Sequence, residues 1–242
     1  MGEGWQLFKI IGIPLRIQPT WLFAVAIFTT LFQPRYAASV EPAALSWGLA
    51  LLTTLLLFTS VLLHELGHAL MALREGVKVV SITLFHLGGI ARVEKECPTA
   101  MGNLRIAAAG PLVSLTLALG MLLAAASLAT QQPQLTVLLT QVGLLNLMLG
   151  LFNLLPGLPL DGGLILKSLV WQASGSKKRG VEVASASGRV LATLMIVMGG
   201  VLLWQGAGMN GLLLMLIGWF GLGANRRVPD VVPAKGSSGF EG

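Results

Sequence analysis

The segment AALSWGLALLTTLLLFTSVLLHELGHALMALREG, residues 43–76, decides how this chain is read. Its first 21 residues, Ala43 to Leu63, carry no charge and are long enough to cross a bilayer as a helix. His64-Glu65-Leu66-Gly67-His68 follows directly, in an H-E-x-x-H pattern. Histidines four apart on a helix project from one face, so their imidazoles can share one metal ion. Glu65, beside the first of them, is then placed to act as general base towards a water at that metal. With three histidines in the whole chain, the pattern would arise by chance about once in a thousand such sequences. Ionisable groups in an apolar span are costly to bury and so point to function. A hydrolytic metal site is therefore expected inside or at the edge of a membrane.

The rest of the chain agrees with that setting. It is 55% hydrophobic and 11% charged over 242 residues, far more apolar than a soluble domain of this length. The net charge of +6 does not point to nucleic acid, because the charges sit in short connections between apolar runs. The single cysteine, Cys97, excludes an intramolecular disulfide. The first apolar run lacks a convincing small-residue cleavage site and reads as a retained span, so no cleavable signal peptide is expected.

Six spans are expected, at about residues 20–32, 43–73, 103–129, 135–155, 181–204 and 211–222. Gly76 reads as a helix stop after Arg74-Glu75. Two other pieces read as strands: residues 5–17, with a hairpin turn near Gly12 and Pro14, and residues 77–93, rich in β-branched residues and broken by Gly88-Gly89. Bare strand edges are not tolerated in lipid, so these strands belong at the interface, paired, or beside a wet cavity. The expected fold is thus an all-α polytopic membrane protein of six transmembrane helices with a small interfacial or membrane-embedded β-sheet. Residues 1–225 form one membrane domain and residues 226–242 a flexible cytoplasmic tail. With six spans, all lysines and arginines except Arg35 fall on one side of the midplane, the side of both termini. The positive-inside rule makes that side cytoplasmic, and the second and fourth spans then end there together.

A zinc site that keeps one position open for water needs a third protein ligand. Asp161, in the segment NLLPGLPLDGG of residues 153–163, lies past the fourth span on the same side as His64 and His68. Pro156 and Pro159 keep that segment extended, and Gly162-Gly163 permit a sharp turn after the carboxylate. On residue type alone, Asp161 reads equally well as an interfacial helix stop. His86 competes as a ligand, although its place before Gly88-Gly89 suits a strand or a substrate-side role better. Asn153 reads either as a substrate-holding amide or as a packing amide, with Asn146 two turns earlier on nearly the same face. The small residues Ala107 to Pro111 read as close helix packing that supports the site. The basic run Lys177-Lys178-Arg179 reads as a positive-inside anchor at anionic headgroups.

These motifs resemble the site-2 proteases, intramembrane zinc metalloproteases. The resemblance rests on residues 64–68, on Asn153, Pro159, Asp161 and Gly162, on residues 85–89 (FHLGG) and 107–111 (AAAGP), and on residues 12–21 (GIPLRIQPTW), which are similar to compact prokaryotic members. It implies one zinc ion on His64, His68 and Asp161, with Glu65 as catalytic base and Asn153 holding substrate or the oxyanion. Gly88 and Gly89 are expected at the substrate, in a strand edge to which an unwound peptide could add. The implied substrates are single-span membrane proteins of the anti-sigma-factor type, cut in a bacterial inner membrane after trimming by an upstream site-1-type protease. No PDZ insertion or cystathionine-synthase-type domain is expected. Clearance of signal-peptide remnants, or zinc binding without catalysis, are the competing functions.

Overall fold

The computed structural model describes residues 4–38, 42–86 and 88–226. The tail expected from residue 226 therefore lies almost wholly outside the described residues. The chain begins with a hairpin, β1 (Trp5–Ile10) and β2 (Ile13–Ile17). Its two-residue turn holds Ile11 and Gly12 at φ 51° and 81°, the left-handed pair that a tight hairpin requires. Helices α1 (Thr20–Ala37) and α2 (Ala43–Arg74) follow, then strands β3 (Val79–Phe85) and β4 (Gly88–Val93). The remainder is helical: α3 (Ala100–Leu128), α4 (Pro133–Asn153), α5 (Asp161–Ser174), α6 (Lys177–Trp204) and α7 (Gly208–Arg226).

The strands join in one sheet of order β1-β2-β3-β4, with β2 and β3 parallel and the outer pairs antiparallel. β4 is an edge strand, and it packs against α2. Ile13, Leu15, Val79, Ile82 and Leu84 form a buried layer with Val61, Ala69 and Ala72 of α2. The sheet thus covers the C-terminal half of the helix that carries H-E-x-x-H. α2 ends as its sequence predicts: Gly76 takes φ 76°, its N–H donates to Leu73 C=O, and Val77 N–H reaches back to Ala72 C=O. That pair of bonds is the Schellman arrangement. It turns the chain sharply into β3, next to the helix it has just left.

The N-terminal half of α2 packs in a second cluster of Tyr36, Ala50, Leu138 and Val142. Several polar groups within the apolar bundle find internal partners, while Trp21 Nε1, Asn146 Oδ1 and Ser185 Oγ have none among the described residues. Tyr36 Oη lies 2.5 Å from Thr53 Oγ1, Thr29 Oγ1 donates to Thr54 Oγ1, and Asn146 Nδ2 donates to Ser60 Oγ at 2.9 Å. Asn146 is fully buried and ties α4 to α2, so of the two asparagines on this helix it is Asn146 that serves packing.

Four of the six expected spans, α2, α3, α4 and α6, are long and apolar enough to cross a bilayer. α1 falls short of that standard, with Gln33, Pro34 and Arg35 in its last turns, and the apolar part of α7 is limited to Gly208–Gly223. One helix was not expected at all. α5 begins at Asp161, and its Gly162-Gly163 pair, read as a turn, is helical. The glycines serve close approach instead: a Cβ at Gly162 would collide with the backbone of Leu154, and one at Gly163 with that of Gly157 and Leu158.

The polar ties between apolar helices are modest. A double-mutant cycle on Ser60→Ala and Asn146→Ala, read by denaturant titration in mixed micelles, should give a coupling of about 0.6 kcal/mol and no more than about 1.7 kcal/mol.

Candidate metal centre

The α2 helix places His64 and His68 on one face with ring centroids 4.9 Å apart. Asp161 arrives from the far end of the α4–α5 connection as the first residue of α5. His64 Nε2 and Asp161 Oδ2 are 3.1 Å apart, His68 Nε2 and the same oxygen 3.3 Å, and the two Nε2 atoms 3.2 Å. Among the described residues, this is the one group of three or more such side chains placed to hold a metal ion. The triangle has the dimensions of a coordination face. With bonds of about 2.0–2.1 Å at the tetrahedral angle, donor atoms lie about 3.3 Å apart.

The outer nitrogens explain why the inner ones are available. His68 Nδ1–H donates to the Ile106 carbonyl at 2.7 Å, so a neutral ring presents a bare Nε2 lone pair. His64 Nδ1 is 2.9 Å from Ser114 Oγ, on the next turns of the same α3 helix. With His64 Nδ1–H likewise donating to Ser114 Oγ, two imidazole lone pairs and a carboxylate oxygen point at one another, an arrangement that a cation relieves. The donor set and its supports fit a metal of the zinc type.

Gly110 of α3 makes room for this arrangement. A Cβ there would meet His68 Nε2 and lie 2.7 Å from His64 Nε2. The stretch Ala107 to Pro111, read from sequence as packing, therefore contains the residue that lets α3 pass across both imidazoles.

Glu65 lies on the other flank. Its Oε2 accepts a 2.9 Å hydrogen bond from Ala91 N–H on the outer edge of β4. Gly89 admits the carboxylate, since a Cβ at that position would lie 2.6 Å from Glu65 Cγ. His64, Glu65, His68, Gly88, Gly89, Asn153 and Asp161 all line one cavity of about 470 Å³. Asn153 closes its wall as the last residue of α4, with Nδ2 donating to Leu149 C=O at 2.9 Å. His86 stands apart from the cluster, exposed and 3.2 Å through Nδ1 from Thr20 Oγ1 at the start of α1. Cys97 is buried beside Thr99 at the cavity wall.

Two features of the site had no distinct signal in the sequence. Lys167 of α5 lines the cavity while only 7% exposed, and its ammonium donates to Glu96 in the β4–α3 connection. Lys177, at the start of α6, pairs with the other Glu96 oxygen. Burial would raise the Glu96 carboxyl, but the hydrogen bonds from Lys167 and Lys177 outweigh it and hold the group below its ordinary range. The second feature is Ser114, an ordinary serine of an apolar helix until its distance to His64 is known.

The whole chain resembles known metalloproteases. The model of peptidase family M50 matches residues 52–132 and 120–198. "Putative zinc metalloprotease sll0528" of Synechocystis is 39% identical over 221 residues, covering 91% of this chain and 58% of that protein. "Zinc metalloprotease MJ0392" of Methanocaldococcus jannaschii is 36% identical over 194 residues, covering 80% of this chain and 53% of that one. The chain thus spans little more than half the length of these relatives. A solved site-2 protease from Methanocaldococcus jannaschii superposes with a TM-score of 0.60 at 33% identity, over 94% of this chain and 97% of that one.

Two outcomes follow from this geometry. Ser114→Ala leaves His64 Nδ1 without its partner and should lower metal affinity by about 10–100-fold in competition with a chromogenic chelator. The Glu96 cluster sets a pH dependence. A carboxyl held low in the folded state contributes stability that is present above its unfolded pKa and lost as pH falls through the folded value. In metal-free protein, the stability gap between wild type and Glu96→Gln should therefore be present near neutrality and shrink as pH falls below the ordinary glutamate range. Thermal unfolding in detergent at stepped pH measures it.

Proposed function

The chain belongs to peptidase family M50, the site-2 proteases, and from that premise we propose that it is a zinc-dependent endopeptidase that cleaves single-span membrane proteins in or near their transmembrane segments. The observation that carries this reading is the triangle of His64, His68 and Asp161 with Glu65 beside it in one cavity. Zinc held by those three side chains would supply Lewis acidity at the head of the cavity. Glu65 takes the proton of the attacking water and returns it to the leaving amine nitrogen. Asn153 keeps one amide hydrogen beyond its bond to Leu149 and offers it to the substrate carbonyl as negative charge builds there.

The peptide must be unwound to be cut, because its carbonyls are already bonded within a helix. The edge strand β4 supplies an alternative set of backbone partners. Gly88, Gly89, Ile90 and Ala91 border the cavity, with no strand on their outer side among the described residues. A strand added there takes over the Ala91 N–H and frees Glu65 from it.

In the membrane, α1 and α7 serve as the two shorter crossings, giving six in all. The positive-inside distribution then puts the termini and the metal centre towards the cytoplasm of a bacterial inner membrane. The amphipathic α5 stays on that side. The pathway proposed for it is regulated intramembrane proteolysis of anti-sigma-type substrates, first trimmed by a site-1-type protease, a reading supported by a metal site set among apolar helices.

The test is Glu65→Gln beside the wild type, each purified, assayed for bound zinc and incubated with single-span substrates of defined sequence. Equal zinc with cleavage reduced by about 10²–10⁴-fold is the expected result. Zinc in both with no cleavage by wild type across the panel would leave a zinc-binding membrane scaffold.

A further inference from the structure

We propose that Ser187 of α6 and Asn225 of α7 are positioning residues for the metal centre, acting through the loop that delivers Asp161. This rests on the reading of His64, His68 and Asp161 as metal ligands. The loop, residues 154–160, crosses between α4 and α5 with Pro156 and Pro159 in it, and neither proline has an N–H to contribute. Its own turns are tied by short-range bonds such as Gly157 N–H to Leu155 C=O and Leu160 N–H to Gly157 C=O. Two side chains from outside hold two of its other carbonyls. Ser187 Oγ–H donates to Pro156 C=O, and Asn225 Nδ2 donates to Leu158 C=O at 2.6 Å.

The Asn225 contact is specific in chemistry. The residue is 4% exposed, and its amide nitrogen faces two carbonyls, Leu158 and Gly221. A carbonyl accepts only, so the NH₂ end must be the one turned to the loop. Its approach depends on two glycines. A Cβ at Gly188 would lie 2.6 Å from Asn225 Oδ1, and a Cβ at Gly157 would lie 2.7 Å from Gly188 Cα. Loop, α6 and α7 therefore meet at one point where only glycine backbones fit between them.

The consequence lies three residues on. Leu158 is followed by Pro159, Leu160 and Asp161, and Asp161 Oδ2 is the corner shared by both imidazoles. Ser114 and Ile106 fix the histidines from α3, and among the described residues no hydrogen bond to the Asp161 carboxylate is found apart from those of the histidines themselves. The position of that oxygen is set through its backbone, and the backbone is set by Ser187 and Asn225. This gives α6 and α7, which contribute no ligand, a part in the metal centre.

The experiment measures zinc affinity against a competing chelator for wild type, Ser187→Ala and Asn225→Leu, each alone and with Asp161→Ala. Asn225→Leu keeps the heavy-atom branching, is bulkier, and removes the donor. Ser187→Ala is the milder change and keeps the test valid if Asn225→Leu does not fold. The expected result is a loss of about tenfold for each variant on the wild-type background. On the Asp161→Ala background, where only the two histidines bind, neither should cost more. Equal losses on both backgrounds, or unchanged affinity on the wild-type background, would overturn the proposal. A wild type that binds no zinc would instead remove the metal site itself, and this inference with it.

Discussion

Two imidazoles one helical turn apart cannot complete a metal site, and the fold is arranged around that shortfall. α2 presents His64 and His68 on one face. The third donor comes from 93 residues further along the chain, after two more apolar helices and a proline-bounded loop. Bringing Asp161 within 3.1 and 3.3 Å of the two Nε2 atoms requires α3 to pass close over the histidines, which Gly110 permits, and α4 to end at the cavity wall, which Asn153 marks. The sheet completes the enclosure from the other side, covering the half of α2 that carries the motif.

A second constraint shapes how this is done. An apolar environment offers no water to satisfy stray donors, and many buried polar groups here, though not Trp21 Nε1 or Ser185 Oγ among the described residues, are paired inside the protein. The pairing is graded along α2. At its N-terminal half the partners are hydroxyls and an amide that hold helices together: Tyr36 with Thr53, Asn146 with Ser60. Near the metal centre the same kind of bond instead orients a ring, Ser114 to His64 and the Ile106 carbonyl to His68. Beyond the centre, Glu96 gathers Lys167 and Lys177 and joins the β4–α3 connection to α5 and α6. One rule, satisfaction of buried polarity, produces packing, ligand orientation and loop anchoring at successive depths.

How much of this could be read from the sequence follows from range. His64, Glu65 and His68 are legible because a spacing of four on a helix is a local property. The approach of Asp161 to His64 and His68 was legible because the charge distribution assigned both segments to one side of the chain's topology. The hairpin and the Gly76 stop are legible because turn and cap chemistry is written in adjacent residues. α5 was missed because its 14 residues open with Asp-Gly-Gly, which reads as a turn, and its apolar runs LIL and LVW are too short to read as a span. Six spans were expected from apolar runs alone, but α1 and α7 are interrupted or shortened where length and composition are judged together. Ser114, Ser187 and Asn225 carry no sequence signal, since their partners lie 50, 31 and 67 positions away.

The edge of β4 links these constraints to chemistry. An edge strand has backbone donors without strand partners, and natural proteins usually blunt such edges. Here the blunting group at Ala91 is the carboxylate of Glu65, one residue from a metal-site histidine. Gly89, without a side chain, is what lets that carboxylate reach the strand. A peptide that pairs with β4 must compete with Glu65 for the Ala91 N–H, so strand docking and release of the base become a single exchange of hydrogen bonds. Such an exchange is close to neutral in bond count, one bond to the backbone N–H replacing another. On the proposed endopeptidase reading, the discriminating cost then falls on the substrate, which must give up helical bonds to enter, and peptides that unwind readily next to the cavity are favoured.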